Sequence, residues 1–468
     1  MSLHSSHPRR PVVGIHRREL LQIGYSGLLG MGWADWLARQ ARAKEAAPES
    51  QRRARSPKSV ILVFLTGAPS HHDTFDMKPD APAEIRGDFQ PIATSVPGLY
   101  VCEHLPKLAA RARHYAVVRT LAHGENNHLM ATHMLLTGHS QPGAFFDKVA
   151  SRDDWPGYSA ALNYLRPRHD PLPSGVNLPT FLAEGSLTWP GQHAGLLGAM
   201  HDPWQITADP NASDFRVDSV HLAPGISIDR FHQRRGLLDQ VNRRQRQLAD
   251  ALEHRNLTEQ QRLAFSLLAS GSITQAFEID REPAAVRDRY GRDTLGQSLL
   301  LARRLTEVGV PIVQVNVGRA QAWDHHSNIF PALKQLLPPL DHGLSALLDD
   351  LAASGRLDDT LVLLLGEFGR TPKVKTQPGS GSPGRDHWGN CFFGLFAGGG
   401  VQGGQVIGKS DKIGAYPLTK PYSADDVGAT VYHVLGIDPA SEIRDRLNRP
   451  MRLNQGQWIE PLFTGRAT

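Results

Sequence analysis

Apolar residues fall into short runs separated by polar, glycine-rich segments. Val60-Ile61-Leu62-Val63-Phe64-Leu65 is continuously apolar and bounded by Gly67 and Pro69. That pattern predicts a strand buried on both faces, as in a parallel sheet. Tyr115 to Arg119, Pro311 to Val317, Thr360 to Leu365 and Cys391 to Ala397 predict four more strands. Helical spacing lies between them. Leu295, Leu299, Ala302 and Leu305 form one apolar face ending near Gly309. Leu340, Leu344, Leu347, Leu348 and Leu351 form another, with Pro338 near its start and Gly355 past its end. Strand 311–317, this second helix and strand 360–365 make a βαβ crossover, the unit from which parallel sheets are built. The stretch from about 141 to 280 differs. Its first half is rich in Pro, Gly and Trp with little periodicity, and Phe231 to Phe277 reads as a charged helical pair divided near Asn256-Leu257-Thr258. The expectation is one α/β domain over 58–465, with a central, mostly parallel sheet flanked by helices and a helical and irregular insertion at about 141–280 capping it.

The N-terminus does not continue this pattern. Arg17-Arg18-Glu19-Leu20-Leu21 precedes a mild apolar run from Ile23 to Trp36, then Ala41-Arg42-Ala43 and a polar stretch to Lys58. That order reads as a twin-arginine-type signal peptide over 1–43 and a linker over 44–57, and predicts export to the periplasm or beyond. Asp35 interrupts the apolar run, which is too short for a stable membrane span. With 468 residues, 40% of them hydrophobic, a sizeable core is within reach. The net charge of +5 comes with no basic stripe interleaved with aromatics, which argues against a nucleic-acid partner. Only Cys102 and Cys391 occur, without a C-x-x-C, so cysteine zinc sites and thioredoxin-like chemistry are excluded, while one disulfide after export stays open. The 22 histidines, several beside Asp, suit divalent-metal binding, though most are read as surface and core residues.

Polar clusters follow the predicted strands. Ser70-His71-His72-Asp73-Thr74-Phe75-Asp76 comes after the first, and His123, Glu125, Asn126, Asn127 and His128 after the second. Asp324-His325-His326 follows strand 311–317; Glu367, Arg370 and then Arg385-Asp386-His387 follow strand 360–365. Open parallel sheets bind ligands beyond the carboxyl ends of their strands, so four segments are expected to converge on one edge. Each cluster also has a plain structural reading. Asp76 sits in an ordinary turn, Asp73 caps a short helix, His387 packs on Trp388, and Glu367 pairs with Arg370. Glu367 leaves a buried apolar strand and must meet a cation of some kind.

Several of these strings, in this order, resemble one family. They are Arg119-Thr120 through Asn126-Asn127-His128 to Leu135-Leu136-Thr137-Gly138-His139, Asp80-Ala81-Pro82-Ala83-Glu84-Ile85-Arg86-Gly87, Trp189-Pro190-Gly191-Gln192, Leu301-Ala302-Arg303-Arg304-Leu305, and Gly366-Glu367-Phe368-Gly369-Arg370-Thr371-Pro372. From about residue 58 to the C-terminus the chain resembles the exported family catalogued as domain of unknown function 1501. That family is similar to the sulfatase and alkaline-phosphatase superfamily, which implies an alkaline-phosphatase-like fold and a two-metal hydrolase ancestry. Counting back ten residues from Gly138 puts His128 at the superfamily's nucleophile position, and the sulfatase Cys/Ser-x-Pro-x-Arg signature is absent. The first-strand metal Asp would fall near Thr66 or Gly67, its role lost or taken by Asp73 or Asp76. Glu367-Phe368 keeps the carboxylate of a later Asp-His metal pair and loses the imidazole. Asp324, His326 and His387 resemble an intact ligand set for the other metal.

The resemblance therefore implies a hydrolase of phosphate or sulfate esters. One or two divalent ions (Zn, Mn or Ca) would sit on Asp324, His326, His387, Glu367, Asp73 and Asp76. Arg370 or Arg385 would clamp the anion, with His128 as phospho-acceptor, acid/base or ligand. The substrate would be an anionic small-molecule or glycan ester. Two alternatives stand beside it: a degenerate, non-catalytic member binding an anionic glycan or a partner protein, and a transferase or isomerase acting on phosphorylated sugars.

Overall fold

A computed structural model describes residues 58–142, 149–168, 170, 172–217, 271–319, 321–379 and 381–465, together with a two-residue ribbon, Tyr25–Ser26 against Met31–Gly32. The signal peptide and linker expected over 1–57 otherwise lie outside the described residues, as does most of the helical pair expected from Phe231. Residues Pro57–Thr468 form one compact unit.

Eight strands build its sheet: β1 Ser59–Leu65, β2 Tyr115–Leu121, β3 Gly175–Leu178, β4 Trp204–Gln205, β5 Ile312–Val317, β6 Thr360–Leu365, β7 Phe392–Ala397 and β8 Gln405–Ile407. The spatial order is β4-β3-β5-β1-β6-β7-β2-β8. Every neighbouring pair is parallel except the two made by β7, which runs antiparallel to both β6 and β2. The α/β class with a mostly parallel sheet is as the apolar runs predicted. Alternate residues of β1 enter two different cores, Ile61, Val63 and Leu65 on one face and Val60, Leu62 and Phe64 on the other. Each such side chain stabilises the fold by about 1.5–3 kcal/mol on burial, which is why the run has no polar position.

The first face is covered by helices α3 (Thr294–Glu307) and α4 (Ile329–Ala353), the second by α1 (His128–Thr137), α2 (Tyr158–Leu165) and α5 (Ala424–Val434). Two expectations need correction. Helix α4 does not start near Pro338 but runs through Pro338 and Pro339 from Ile329. Buried Phe330, Leu333 and Leu337 continue its apolar stripe upstream, and that packing outweighs the hydrogen bonds the prolines forgo. The stretch 141–280 is not simply a cap, because β3 and β4 join the sheet edge and α2 packs beneath it. Strands of four and two residues leave too little periodicity to be read from sequence. Cys102 and Cys391 are both buried free thiols, each pushed up to about 12 by burial.

Candidate metal centre

The polar clusters do converge at the carboxyl edge of the sheet. β7 runs backwards, so the segment preceding it returns to the same edge as the exits of β1, β5 and β6. A short ribbon pairs Gly369–Arg370 with His387–Trp388, placing Arg370 opposite His387. Gly384 makes this approach feasible, since a Cβ there would lie 2.1 Å from the His326 backbone. On the other side Gly389 donates to the Asn126 side-chain oxygen at 2.7 Å, tying the ribbon to the loop that opens α1. Asn127 caps that helix by accepting from the amides of Leu129 and Met130, which fixes His128 as its first residue.

Asp324 stands at the centre. Its Oδ1 is 3.1 Å from His326 Nε2 and 3.4 Å from His387 Nε2, and the two Nε2 atoms are 3.0 Å apart. The far side of each ring decides its tautomer. His387 Nδ1 lies 2.8 Å from the Asn126 carbonyl, which can only accept, and His326 Nδ1 lies 2.8 Å from the Asp386 carboxylate. Both Nδ1 atoms thus carry a proton, and both rings turn Nε2 inward toward Asp324. The two Nε2 atoms and Asp324 Oδ1 converge on one point, a donor set of imidazole and carboxylate that suits a divalent cation. A tetrahedral ion with bonds of about 2.0–2.1 Å holds its ligands about 3.3–3.4 Å apart, close to the spacing seen here. Asp324 Oδ1 is buried, with the Arg370 guanidinium 2.5 Å away as its ion-pair partner.

His128 bridges two carboxylates, Nε2 at 3.1 Å from Asp324 Oδ2 and Nδ1 at 2.7 Å from Glu367 Oε1. His128, Asp324 and His387 each offer a ligand atom within 4.8 Å of the others. Burial opposes charge on His128, but the hydrogen bonds it donates to Asp324 and Glu367 outweigh it and raise the imidazole to about 9. Burial would likewise raise Asp324, yet the histidines and the Arg370 charge hold it well below the usual carboxylate range. Glu367 also accepts from the Gly67 amide at 2.8 Å, while its Oε2 is buried without a partner. Phe368 packs against the His128 and His387 rings, at 5.0 and 4.8 Å between centroids.

The remaining expected site residues do not join this cluster as ligands or clamps. Arg385 is fully buried; it grips Asp73 through Nε at 2.8 Å and Nη2 at 3.1 Å, and gives its other protons to the carbonyls of Ile85, Thr371 and Pro372. All its donors are used inside the protein, so it cannot clamp an anion. Asp73, which also accepts from Ser70 at 2.5 Å, is its counter-charge and not a metal ligand. Asp76 is likewise committed, to Lys78, Arg119 and Ser410. Arg370 pairs with Asp324 and not with Glu367, and is buried too deeply to reach an external anion. Asp386 escaped the sequence reading as a site residue. Its position beside His387 was the available signal, but that it orients His326, sixty places earlier in the chain, is a tertiary fact.

The family profile for a protein of unknown function, DUF1501, matches residues 57–463. The chain belongs to the DUF1501 family. No curated protein matches this DUF1501 chain. Among solved structures it is similar to a sulfatase from Pseudoalteromonas sp. (11% identity, 85% of this chain and 72% of that one, TM-score 0.35). It is also similar to a phosphonate monoester hydrolase from Silicibacter pomeroyi (12%, 88% and 77%, TM-score 0.38). A third is an alkaline phosphatase from the Antarctic bacterium TAB5 (12%, 82% and 99%, TM-score 0.38). At these values the likenesses carry no argument about chemistry, which rests on the residues described above.

Proposed function

We propose that this DUF1501 chain is a metal-dependent hydrolase of phosphate or sulfate esters, acting on an anionic small molecule or glycan. One observation carries the reading: Nε2 of His326 and Nε2 of His387, each ring fixed by a hydrogen bond behind it, converge on Asp324 Oδ1. Asp324, His326 and His387 would hold a Zn- or Mn-type ion, with His128 beside them. Such an ion would supply Lewis-acid stabilisation of charge on the ester oxygen. The chain itself supplies orientation and a proton carrier. Glu367 fixes His128 through Nδ1, leaving Nε2 as the atom able to hold or pass a proton at the site.

The test is metal content of the purified protein by elemental mass spectrometry, with turnover of chromogenic phosphate and sulfate monoesters measured alongside. Asp324→Ala and His387→Ala should each lose the metal and the turnover. A wild-type protein free of metal, with thermal stability unchanged by chelator, would sink the proposal.

One observation favours a second reading, a degenerate, non-catalytic member that binds an anionic glycan or a partner protein: the arginines expected to clamp the reacting anion, Arg370 and Arg385, are turned into the protein. Under it, a sulfated glycan would bind Asp324→Ala as well as wild type, and no ester would turn over. We also propose export through the Arg17-Arg18 signal. Replacing both arginines by lysine should retain the protein in the cytoplasmic fraction; unchanged export would refute it.

A further inference from the structure

The exit of β1 lies beside the metal centre and offers it no ligand. Thr66 turns its hydroxyl away, donating to the carbonyls of Val317 and Arg319 at 3.1 and 2.9 Å. Gly67 has φ +99°, and a Cβ there would come within 2.8 Å of the Asp324 amide, so no side chain fits. Ala68 follows with φ 65° and only a methyl group. What this corner holds is a guanidinium. Arg370 donates through Nε to the Ala68 carbonyl at 2.8 Å and through Nη2 to the Gly67 carbonyl, and sets Nη1 2.5 Å from Asp324 Oδ1. Its side chain is 1% exposed. A buried charge survives only where it is paired and its donors are satisfied, and here the backbone carbonyls and Asp324 do both.

We infer that the centre binds a single divalent ion, with the Arg370 guanidinium as a permanent second cation beside Asp324. The inference rests on the metal-centre reading above. The guanidinium already occupies the carbonyls and the carboxylate edge that a second ion would need. It also places a fixed positive charge next to the ion. Arg370 is then a positioning residue: it limits the metal count and holds Asp324 toward the histidines. Among the described residues of this centre, Glu367 Oε2 is buried without a partner and is where a second ion would have to bind, and the metal count decides between the two.

The experiment uses full-length protein stripped with chelator, reconstituted with Zn²⁺ or with Mn²⁺, desalted and analysed for bound metal. Affinity is measured in parallel by competition with a chromogenic chelator. The wild type should hold one ion per chain. Arg370→Gln removes the charge that repels the ion and should tighten its dissociation constant by about tenfold or more, whereas Arg370→Lys should bind as wild type does. Two ions per wild-type chain would overturn the inference and leave the hydrolase reading standing. No ion would overturn both. One ion, with affinity weakened or unchanged in Arg370→Gln, would make Arg370 a purely structural residue and also overturn it. Should Arg370→Gln fail to fold by circular dichroism, the wild-type count and the lysine variant still decide.

Discussion

Asp386 and Arg385 are adjacent in the chain and face opposite problems. Asp386 stands at the site, where its carboxylate holds the proton on His326 Nδ1. Outer partners of this kind set the tautomer and basicity of a ligand, so Asp386→Ala should weaken metal binding by about 10–100-fold without unfolding the protein. Competition against a chelator of known affinity measures it, and an unchanged dissociation constant would remove Asp386 from the site. Arg385 is committed to stability. Removing it strands Asp73 as a buried, unpaired charge, so Arg385→Ala should lower unfolding free energy by about 3–5 kcal/mol in urea titration. A loss below about 1 kcal/mol would mean that water reaches the pair and that Arg385 is less closed than its bonds indicate.

Among the elements, helix α1 matters most, because its first residue is His128. The cap by Asn127 both satisfies two amides and fixes where that imidazole stands. Asn127→Ala should cost about 1 kcal/mol of stability by the loss of the cap, and should also weaken metal binding as His128 shifts. A variant that lost stability with metal affinity intact would show that the Asp324 and Glu367 contacts alone place His128. The antiparallel strand β7 has a comparable role at larger distance. A parallel strand there would carry the preceding ribbon, with Asp386 and His387, to the opposite edge of the sheet.

For the molecule as a whole, buried histidines set the pH response. His71 and His72 lie wholly inside, with Nε2 on the carbonyls of Gly414 and Ile413 at 2.8 and 2.7 Å. Burial lowers His71 from 6.5 to about 4 and His72 well below 6.5. Between those values the unfolded chain takes up protons that the folded one refuses. Their contribution is therefore complete above 6.5, and stability should fall as pH drops from 6.5 toward 4, by about 3 kcal/mol from His71 alone. His128 has the opposite sign in metal-free protein. Its folded value is raised to about 9, so its contribution is complete below 6.5 and lost as pH rises through 9. Urea unfolding of chelator-treated protein across pH 4–10 should show both limbs, with the acid limb shallower in His71→Gln. A flat acid limb in wild type would refute the assignment.

At each of these scales the sequence determined what depends on short-range pattern. Short runs dominated by apolar and β-branched residues determined the five strands read from them, because a strand buried on both faces favours such residues; β5 admits Gln314 and Asn316 only with the side-chain hydrogen bond between them and one to the Thr180 carbonyl. The placing of His, Asp and Glu just past those runs determined which edge would be polar, and the resemblance to the DUF1501 family named it. Tertiary structure decided the rest. Strands β3 and β4 are too short to leave a periodicity, and α4 passes through two prolines because its upstream apolar stripe packs into the core. The roles of the charged residues depend on partners hundreds of positions away. Asp73 and Arg385, or Asp324 and Arg370, read alike as site candidates in the chain, and only the count of hydrogen bonds around each guanidinium shows which charges are closed off. Whether a carboxylate serves a metal or an arginine is settled by geometry at the scale of a few ångströms, which residue order does not contain.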